Sequence, residues 1–497
     1  MLTAPPLALK LTAERNIDFD DAFTIQFLLS KNPNLEVGKF HRKSAGDWTL
    51  YHGKNLPVLA LNDQSGALIG YFLGIGVDEH GQLVTDKFGD AYSLNDADFV
   101  ESIEESIAKI AGRYIVILIN IQCKRIYFDP CATLGVVFDE QTKTVASSVT
   151  LCLDRDIIDN PNFENNAVLS GKDSYLLQQT SDKYIKLIIA NHFLNLDDFS
   201  LTRHWPKPEQ TFTAKPEEYD ALAKDIIERL SDIFGVIVKN HETIVAISGG
   251  ADSRNIIAAA KDHLKDVKLF FTFGHNFMSR NDMEVAAIIA DFLDVPFKGY
   301  DAVKDENHEI PKGFKKRQMH YRYRITSGFS YPTPPEIHQD LQHYLPKGAV
   351  HFRGNLIDLL KSKNYPKTFF SVQSDAEHRE AELRGLFLGT PSKEALEKYM
   401  PAYMAWFKTL PENAHPVSYD MKYMELLWPV FSQIFYGLHH TFYLCPFSDR
   451  RLITNALRFP VSYRRGGNAV NLVLNTAMPE LANIPFLRQH IARKKKH

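Results

Sequence analysis

Ser248, Gly249, Gly250, Asp252 and Ser253 follow directly on an apolar, largely β-branched run, Ile244 to Ile247. A strand that stops at Ser248 and restarts as a helix near Ser253 points several backbone N–H groups at one spot. It also sets a helix N-terminus there, and together these make an anion site suited to phosphate. The two glycines are free to take positive φ and to let an oxyanion approach the backbone. Asp252 has two roles open to it, holding a metal ion that bridges phosphates or capping the helix. The spacing is neither that of a Walker loop nor that of a dinucleotide-binding turn.

Three later segments carry residue types that fit the same chemistry. Phe271-Thr272-Phe273-Gly274 ends a second strand on a glycine, which leaves room for a flat base. The next helix opens at Ser279-Arg280-Asn281-Asp282, where Asp282 reads first as a cap. Arg353-Gly354-Asn355-Leu356-Ile357-Asp358 then places an aspartate just past a strand from Gly348 to Phe352. Asp358 is either a second metal-holding carboxylate or a plain helix cap. Mg²⁺ takes one or two carboxylates together with phosphate oxygens and water. Further on, Pro446-Phe447-Ser448-Asp449-Arg450-Arg451-Leu452 precedes a helical run.

These residues need elements to position them. Up to about residue 205 the chain reads mainly as strands: Trp48 to Tyr51, Val58 to Leu61, Ala67 to Ile75, Tyr114 to Ile121 and Arg125 to Phe128. One helix fits Asp96 to Ala111, capped by Ser93 or Asn95, which suggests an α+β sandwich. The proline-containing stretch from His204 marks a boundary, giving units 1–205 and 206–497. Beyond it, a helix from Pro216 to Val238 leads into strand Ile244 to Ile247 and helix Ser253 to Lys261. Strand Val267 to Phe273, helix Asn281 to Leu293 and a short strand at Pro296-Phe297 follow. That alternation signals a parallel doubly wound α/β sheet, with the 248–253 loop at the carboxyl end of a strand where such sheets bind ligands. The remainder reads as helices: Ala376 to Phe387, Lys393 to Lys408 and Met421 to His440.

The 497 residues allow two to four domains, and 44% hydrophobic with 24% charged content is ordinary for a soluble protein. A net charge of −3 gives no general attraction to nucleic acid. The basic runs Lys312 to Arg317 and Arg493 to Lys496 read as a solvated face and a frayed tail. Four cysteines without a CxxC pair exclude a disulfide framework and a zinc site of that kind. With no apolar stretch long enough for a membrane and no leader-like start, a cytoplasmic location is expected. The crowded run His320-Tyr321-Arg322-Tyr323-Arg324 is either a substrate-reading surface or an exposed face.

Taken in order, S-G-G-A-D-S, the T-F-G strand end with S-x-x-D, R-G-N-x-x-D and P-F-S-D-R-R-L resemble the asparagine synthetase superfamily of ATP pyrophosphatases. In the front half, Ala111-Gly112-Arg113-Tyr114, Phe128 to Phe138 and Val145-Ala146-Ser147-Ser148 are similar to that family's amidotransferase domain. The resemblance implies an Ntn-type αββα sandwich over 1–205. It implies an adenine-nucleotide α-hydrolase-like parallel α/β synthetase domain with a helical end over 206–497. It further implies ATP and Mg²⁺ as cofactors, a carboxylate activated as its adenylate, and an amine that attacks it. Ser248, Gly249, Gly250, Asp252, Ser253 and Gly354 would bind ATP and its pyrophosphate, Gly274 would lie near adenine, and Asp252 and Asp358 would hold the metal. A small-molecule or peptide substrate and a homodimer are compatible with it.

The chain departs from the family at three places. Leu2 stands where the glutamine-hydrolysing members carry a cysteine, so the front half reads as a scaffold without its own glutaminase. In this it resembles the β-lactam synthetases and lasso-peptide cyclases. Asn355 replaces an acidic or tyrosine residue, bulky Leu356 and Ile357 follow it, and Leu359 stands where a glutamate is usual. Asn471 replaces the lysine that would face the leaving pyrophosphate, and an amide offsets polyphosphate charge far less than a cation. Arg464, Arg465 or Lys494 to Lys496 are the candidates to substitute for it. Asn355, Asn471 and Arg465 are therefore the residues to which a catalytic role falls. The expected function is an AMP- and pyrophosphate-forming amide ligase, and the alternative is a lapsed homologue that only binds nucleotide or a partner.

Overall fold

The computed structural model describes residues 5–163, 175–301, 314–327, 344–372, 374–387 and 389–494. The basic run from Lys312 falls outside this description in its backbone up to 313 and in its side chains up to 317, as do Lys495 and Lys496.

Alternation of inward and outward side chains builds the front half. Strands β1 (Phe27–Ser30), β2 (His41–Ala45) and β3 (Trp48–His52) start one sheet, and β4 (Val58–Asn62), β5 (Leu68–Val77), β6 (Ala111–Ile119) and β7 (Lys124–Phe128) start another. The chain then returns to the first with β8 (Val137–Asp139), β9 (Thr144–Ala146) and β10 (Lys186–Leu187). It returns to the second with β11 (His192–Asn195) and β12 (Leu201–Arg203). Among the described residues these make two six-stranded antiparallel sheets, ordered β10-β8-β9-β1-β3-β2 and β12-β11-β7-β6-β5-β4. Phe27, Leu29, Trp48 and Leu50 of one sheet share a buried cluster with Leu73, Ile75, Ile115, Ile117 and Phe128 of the other. The alternate residues Leu28, Tyr51 and Val137 pack outward on the helices Leu7–Glu14 and Phe19–Ala22. On the opposite outer face, Phe72, Val116 and Tyr127 meet Phe99, Ile103 and Ile107 of the helix Phe99–Ala108. Two sheets face each other, with helices on both outer sides.

That helix is shorter at both ends than its periodicity suggests: Asp98 is its N-cap residue rather than Ser93 or Asn95, and Ala111 already belongs to β6. β1, β2 and β8 to β12 were not legible as strands: β1 is buried throughout and β2 is exposed at four of five positions, so neither shows the half-buried alternation that marks a strand.

The second half winds β13 (Thr243–Ala246), β14 (Leu269–Gly274), β15 (Phe297–Asp301), β16 (Val350–Phe352) and β17 (Phe442–Leu444) into a parallel sheet ordered β15-β14-β13-β16-β17. β13 is central, and the order reverses there, between β14 on one side and β16 on the other. The stretch read as a helix from Met421 to His440 is helical without a break from Ser418 to Gly437, but its hydrogen-bond spacing widens at Tyr423–Leu427 and tightens at Gln433–Gly437. It is followed by β17.

The halves are fastened by charged side chains taken out of water. Arg229 pairs with Asp449 at 2.8 Å, both 1% exposed, and also donates to the Asp78 carbonyl at 2.7 Å. Arg450 donates to Asn191 (3.1 Å) and to the Phe128 carbonyl (3.1 Å), while Ser448 donates to Asp129 (3.2 Å). The segment Pro446 to Leu452 is thus a joint between the sandwich and the parallel sheet. Gln26 makes a second joint, accepting from Ser147 and Ser148 (2.8 Å each) and donating to the Thr326 carbonyl (2.8 Å).

Acid should loosen this joint. Burial lowers the pKa of His192 from 6.5 to about 4, and burial with nearby Arg450 holds His204 well below its usual value. A histidine whose folded-state pKa lies below its unfolded value contributes its full stability above pH 6.5, and loses it as pH falls toward 4. For His192 the loss by pH 5 is about 2 kcal/mol. We expect the denaturation midpoint in urea to fall between pH 7 and pH 5 with net proton uptake, and an unchanged midpoint would contradict the assignment.

Candidate functional site

The loops that leave β13 and β16 flank the point where strand order reverses, which is where open α/β sheets bind ligands. After β13 the chain enters the helix Ala251–Ala259 with Gly250 as N-cap residue and no capping side chain. The helix therefore starts two residues before Ser253. Asp252 lies inside its first turn and does not cap it, which removes one of its two roles. The glycines also differ from expectation, since neither is among the positive-φ residues and Gly250 has φ −85°. What position 249 requires is space: a Cβ there would lie 3.0 Å from both Asp282 Oδ1 and Val285 Cγ1.

The loop is braced by its own serines. Ser253 Oγ accepts from the Ser248 N–H at 3.0 Å and lies 3.0 Å from Ser248 Oγ, which in turn accepts from the Gly250 N–H at 3.3 Å. Asp282 is not a cap either. The helix Phe277–Phe292 starts earlier than expected and is capped by Asn276, so the Asp282 carboxylate is free to accept the Gly249 N–H at 2.8 Å. Burial raises its pKa, and the Gly249 amide and Arg254 oppose that rise. Arg254, fully buried, gives its donors to the carbonyls of Leu481 (2.9 Å), Ile484 (2.7 Å), Pro485 (2.8 Å) and Gly249 (3.4 Å). Burial lowers its pKa to about 10, which still leaves it charged at neutral pH.

The second loop closes against the first. A Cβ on Gly354 would stand 3.2 Å from Asp252 C and Ser253 N, so any side chain there presses on the backbone of the first loop by a few tenths of an ångström. Leu356 then takes φ +66°, a left-handed turn that starts a 3₁₀ helix, Ile357–Lys361. Asp358 lies within that helix and is not its cap. Its carboxylate accepts the Tyr423 hydroxyl at 3.2 Å. Burial first, and Asp358 second, raise the Tyr423 pKa, so the hydroxyl keeps its proton. Substituting Gly354→Val would force the loops apart at a cost of about 1–3 kcal/mol. We expect any ligand that bridges them to bind at least about tenfold more weakly; unchanged ATP affinity in a fluorescence titration would contradict this.

Two lysines that the sequence reading missed complete the cluster. Lys361 forms an ion pair with Asp252. Lys363 lies 3.8 Å from Asp252 and 3.6 Å from Asp358, and so sits between the two carboxylates. A signal for them existed, because in a 3₁₀ helix residues i and i+3 eclipse and Asp358 and Lys361 share a face. It becomes usable only once the segment is known to be 3₁₀.

The remaining candidates are placed differently. Gly274 ends β14 beside the loop, but Arg280, paired with Asp301 at 3.2 Å, covers it, and a Cβ there would lie 2.9 Å from Arg280 Cγ. The Asn355 carbonyl accepts from the Cys445 thiol, which fixes the backbone next to Gly354. Asn471 is exposed on the helix Asn468–Ala477, which packs on the helix Ala251–Ala259 and on the 3₁₀ turn. Arg464 is wholly buried, paired with Asp420 at 2.9 Å and donating to the Leu359 carbonyl, so it supports the turn and cannot replace a lysine. Arg465 stacks over Phe370, 5.7 Å from the ring centre. Lys494 pairs with Glu284. The structure thus gathers Ser248, Gly249, Gly250, Asp252, Ser253, Gly354 and Asp358, and it adds Lys361, Lys363 and Asp282.

No protein-family model matches the chain, and no curated protein matches it in sequence. No helix among the described residues is long and apolar enough to cross a membrane.

Proposed function

We propose that the chain is an ATP-dependent amide-bond ligase that releases AMP and pyrophosphate, adenylylating a carboxylate for attack by an amine. One observation carries the reading. Asp252, Asp358, Lys361 and Lys363 meet beside the Ser248–Gly250 backbone at the reversal point of a parallel sheet. On this reading residues 1–205 are a degenerate amidotransferase-like sandwich, and 206–497 are an adenine-nucleotide α-hydrolase-like pyrophosphatase unit.

The donor set fits Mg²⁺. Two carboxylates converge on one ammonium, Lys363 Nζ, at 3.8 and 3.6 Å, and a divalent cation with phosphate oxygens suits the same focus. When bound, the ion would neutralise polyphosphate charge. Asp252 and Asp358 would hold it, and Lys361 and Lys363 would then turn to the phosphates. These two lysines supply the positive charge missing at Asn471. The Gly250 amide and the serine hydroxyls orient the phosphate end, and Gly354 sets the width of the cleft.

The source of the amine follows from the cysteines. Burial raises the thiol pKa of Cys131, Cys152 and Cys445, and raises that of Cys123 to about 11. None of them is a ready thiolate. The amine is therefore supplied from outside the chain and not by a cysteine of this chain hydrolysing glutamine.

The test is exchange of labelled pyrophosphate into ATP over a panel of carboxylates, with nucleotide products resolved. AMP with pyrophosphate is expected; ADP with phosphate would refute the proposal. A second reading, nucleotide held without turnover, draws on two contacts: Asp252 is already engaged by Lys361, and the Gly249 amide by Asp282. ATP binding with no AMP formed across the panel would select it.

A further inference from the structure

The run from His320 to Arg324 has no part in the nucleotide cluster. It lies on the helix Phe314–Ser327, and its described side chains are neither an exposed face nor a free reading surface. Tyr323 is buried, Tyr321 lies under Arg15, and Arg322 reaches into a group of metal-ligating residues at the seam between the halves. We propose that Asp21, His439 and His440 form a zinc-class transition-metal site, occupied in the resting chain by the Arg322 guanidinium.

The geometry is that of a ligand set with its lone pairs converging. One ligand atom from each of Asp21, His439 and His440 lies within 4.8 Å of the others. Tetrahedral zinc, with bonds of about 2.0–2.2 Å, needs ligand atoms roughly 3.4 Å apart, so side-chain adjustments of under about 1 Å close the set. His439 is 6% exposed, and its Nε2 lies 2.7 Å from Arg322 Nη2. A guanidinium can only donate, so that nitrogen presents a lone pair and the imidazole is neutral, the form that binds metal. The same Nη2 contacts Asp21 Oδ2. One positive nitrogen therefore sits where a carboxylate and an imidazole both point.

That cation is held imperfectly. Arg322 Nε is buried without a hydrogen-bond partner, and the side chain is 28% exposed, which gives it a route out to solvent. Two imidazoles and one carboxylate select zinc or its neighbours over Mg²⁺ or Ca²⁺, which prefer oxygen. The backbone of the pair is fixed, because the His440 carbonyl accepts the Gly348 N–H at 2.7 Å. His439 and His440 precede β17, so they stand at the amino end of the parallel sheet, away from the loops that leave the carboxyl ends of β13 and β16. Asp21 comes from the sandwich and the histidines from the parallel sheet, so a bound metal would fasten the two halves. The site does not depend on the ligase reading.

The test uses the full chain, stripped with chelator and titrated with Zn²⁺ and with Co²⁺. One equivalent should bind, with the intense visible bands of tetrahedral cobalt, and should raise the thermal midpoint. Arg322→Ala should bind about tenfold more tightly, because no cation has to be displaced. Asp21→Asn and His440→Ala, both at partly exposed positions, should each lose at least about tenfold in affinity. Absence of stoichiometric uptake by both the parent and Arg322→Ala would overturn the proposal. Uptake that is indifferent to Asp21→Asn and His440→Ala would overturn it too.

Discussion

A chain carrying Lys361→Met and Lys363→Met is expected to bind ATP at least about 100-fold more weakly than the parent, while Asn471→Ala changes affinity less than about twofold. A charge-assisted hydrogen bond is worth about 1.5–3 kcal/mol and a decade of affinity about 1.4 kcal/mol. Lys361, 18% exposed, should supply most of the effect, and Lys363, 54% exposed, a part reduced by solvent screening. The sign reverses on the acidic side. Asp252→Asn frees Lys361 from its partner, so ATP should bind more tightly in chelator even as magnesium-dependent pyrophosphate exchange is lost. Equilibrium titrations at low and high salt, with and without Mg²⁺, measure both. If the double lysine variant keeps parental affinity, the cluster is not a polyphosphate site.

The second large effect is on stability. Glu425 is fully buried, taking two bonds from Arg203 (2.6 and 2.7 Å), one from Trp406 Nε1 (2.8 Å) and one from Asn191 (3.3 Å). It joins the end of the sandwich to the helical region. Glu425→Ala leaves a guanidinium that is only 8% exposed without its counter-charge, and the expected loss is about 3–5 kcal/mol. The double change Arg203→Met, Glu425→Leu removes both charges and should recover most of it. Denaturant unfolding followed by tryptophan fluorescence distinguishes these outcomes. If the single and double variants are equally destabilised, packing matters there and the charge pair does not.

How much was legible depended on whether a residue's partner lay near it in sequence. β13, β14 and the helix Tyr219–Asn240 announce themselves through periodicity, and Ser248 to Ser253 through local composition. β16 was legible as the strand read from Gly348 to Phe352, whereas β17, three residues long, is too short for any pattern; together they complete the sheet and fix the reversal point. Asp252, Asp282 and Asp358 were all open to reading as helix caps, since a short acid near a helix start usually is one. The structure assigns none of them that role. Asp282 acts across 33 residues on Gly249, a relation that no window of sequence displays. Lys361 was hidden in a different way: its pairing with Asp252 depends on the 3₁₀ turn Ile357–Lys361 and on the approach of two loops far apart in the sequence.

The Gly249 amide is already taken, and this changes what kind of receptor the loop is. Arg254, whose hydrogen bonds all go to carbonyls, keeps a standing positive potential beneath the loop, and Asp282 is the resident anion that answers it electrostatically. Full engagement of the loop by a ligand is then an exchange of one anion for another. A weakly charged ligand displaces Asp282 at a net loss, whereas a ligand dense in negative charge more than replaces it. On the proposed function, the loop would therefore select by charge density before it selects by shape.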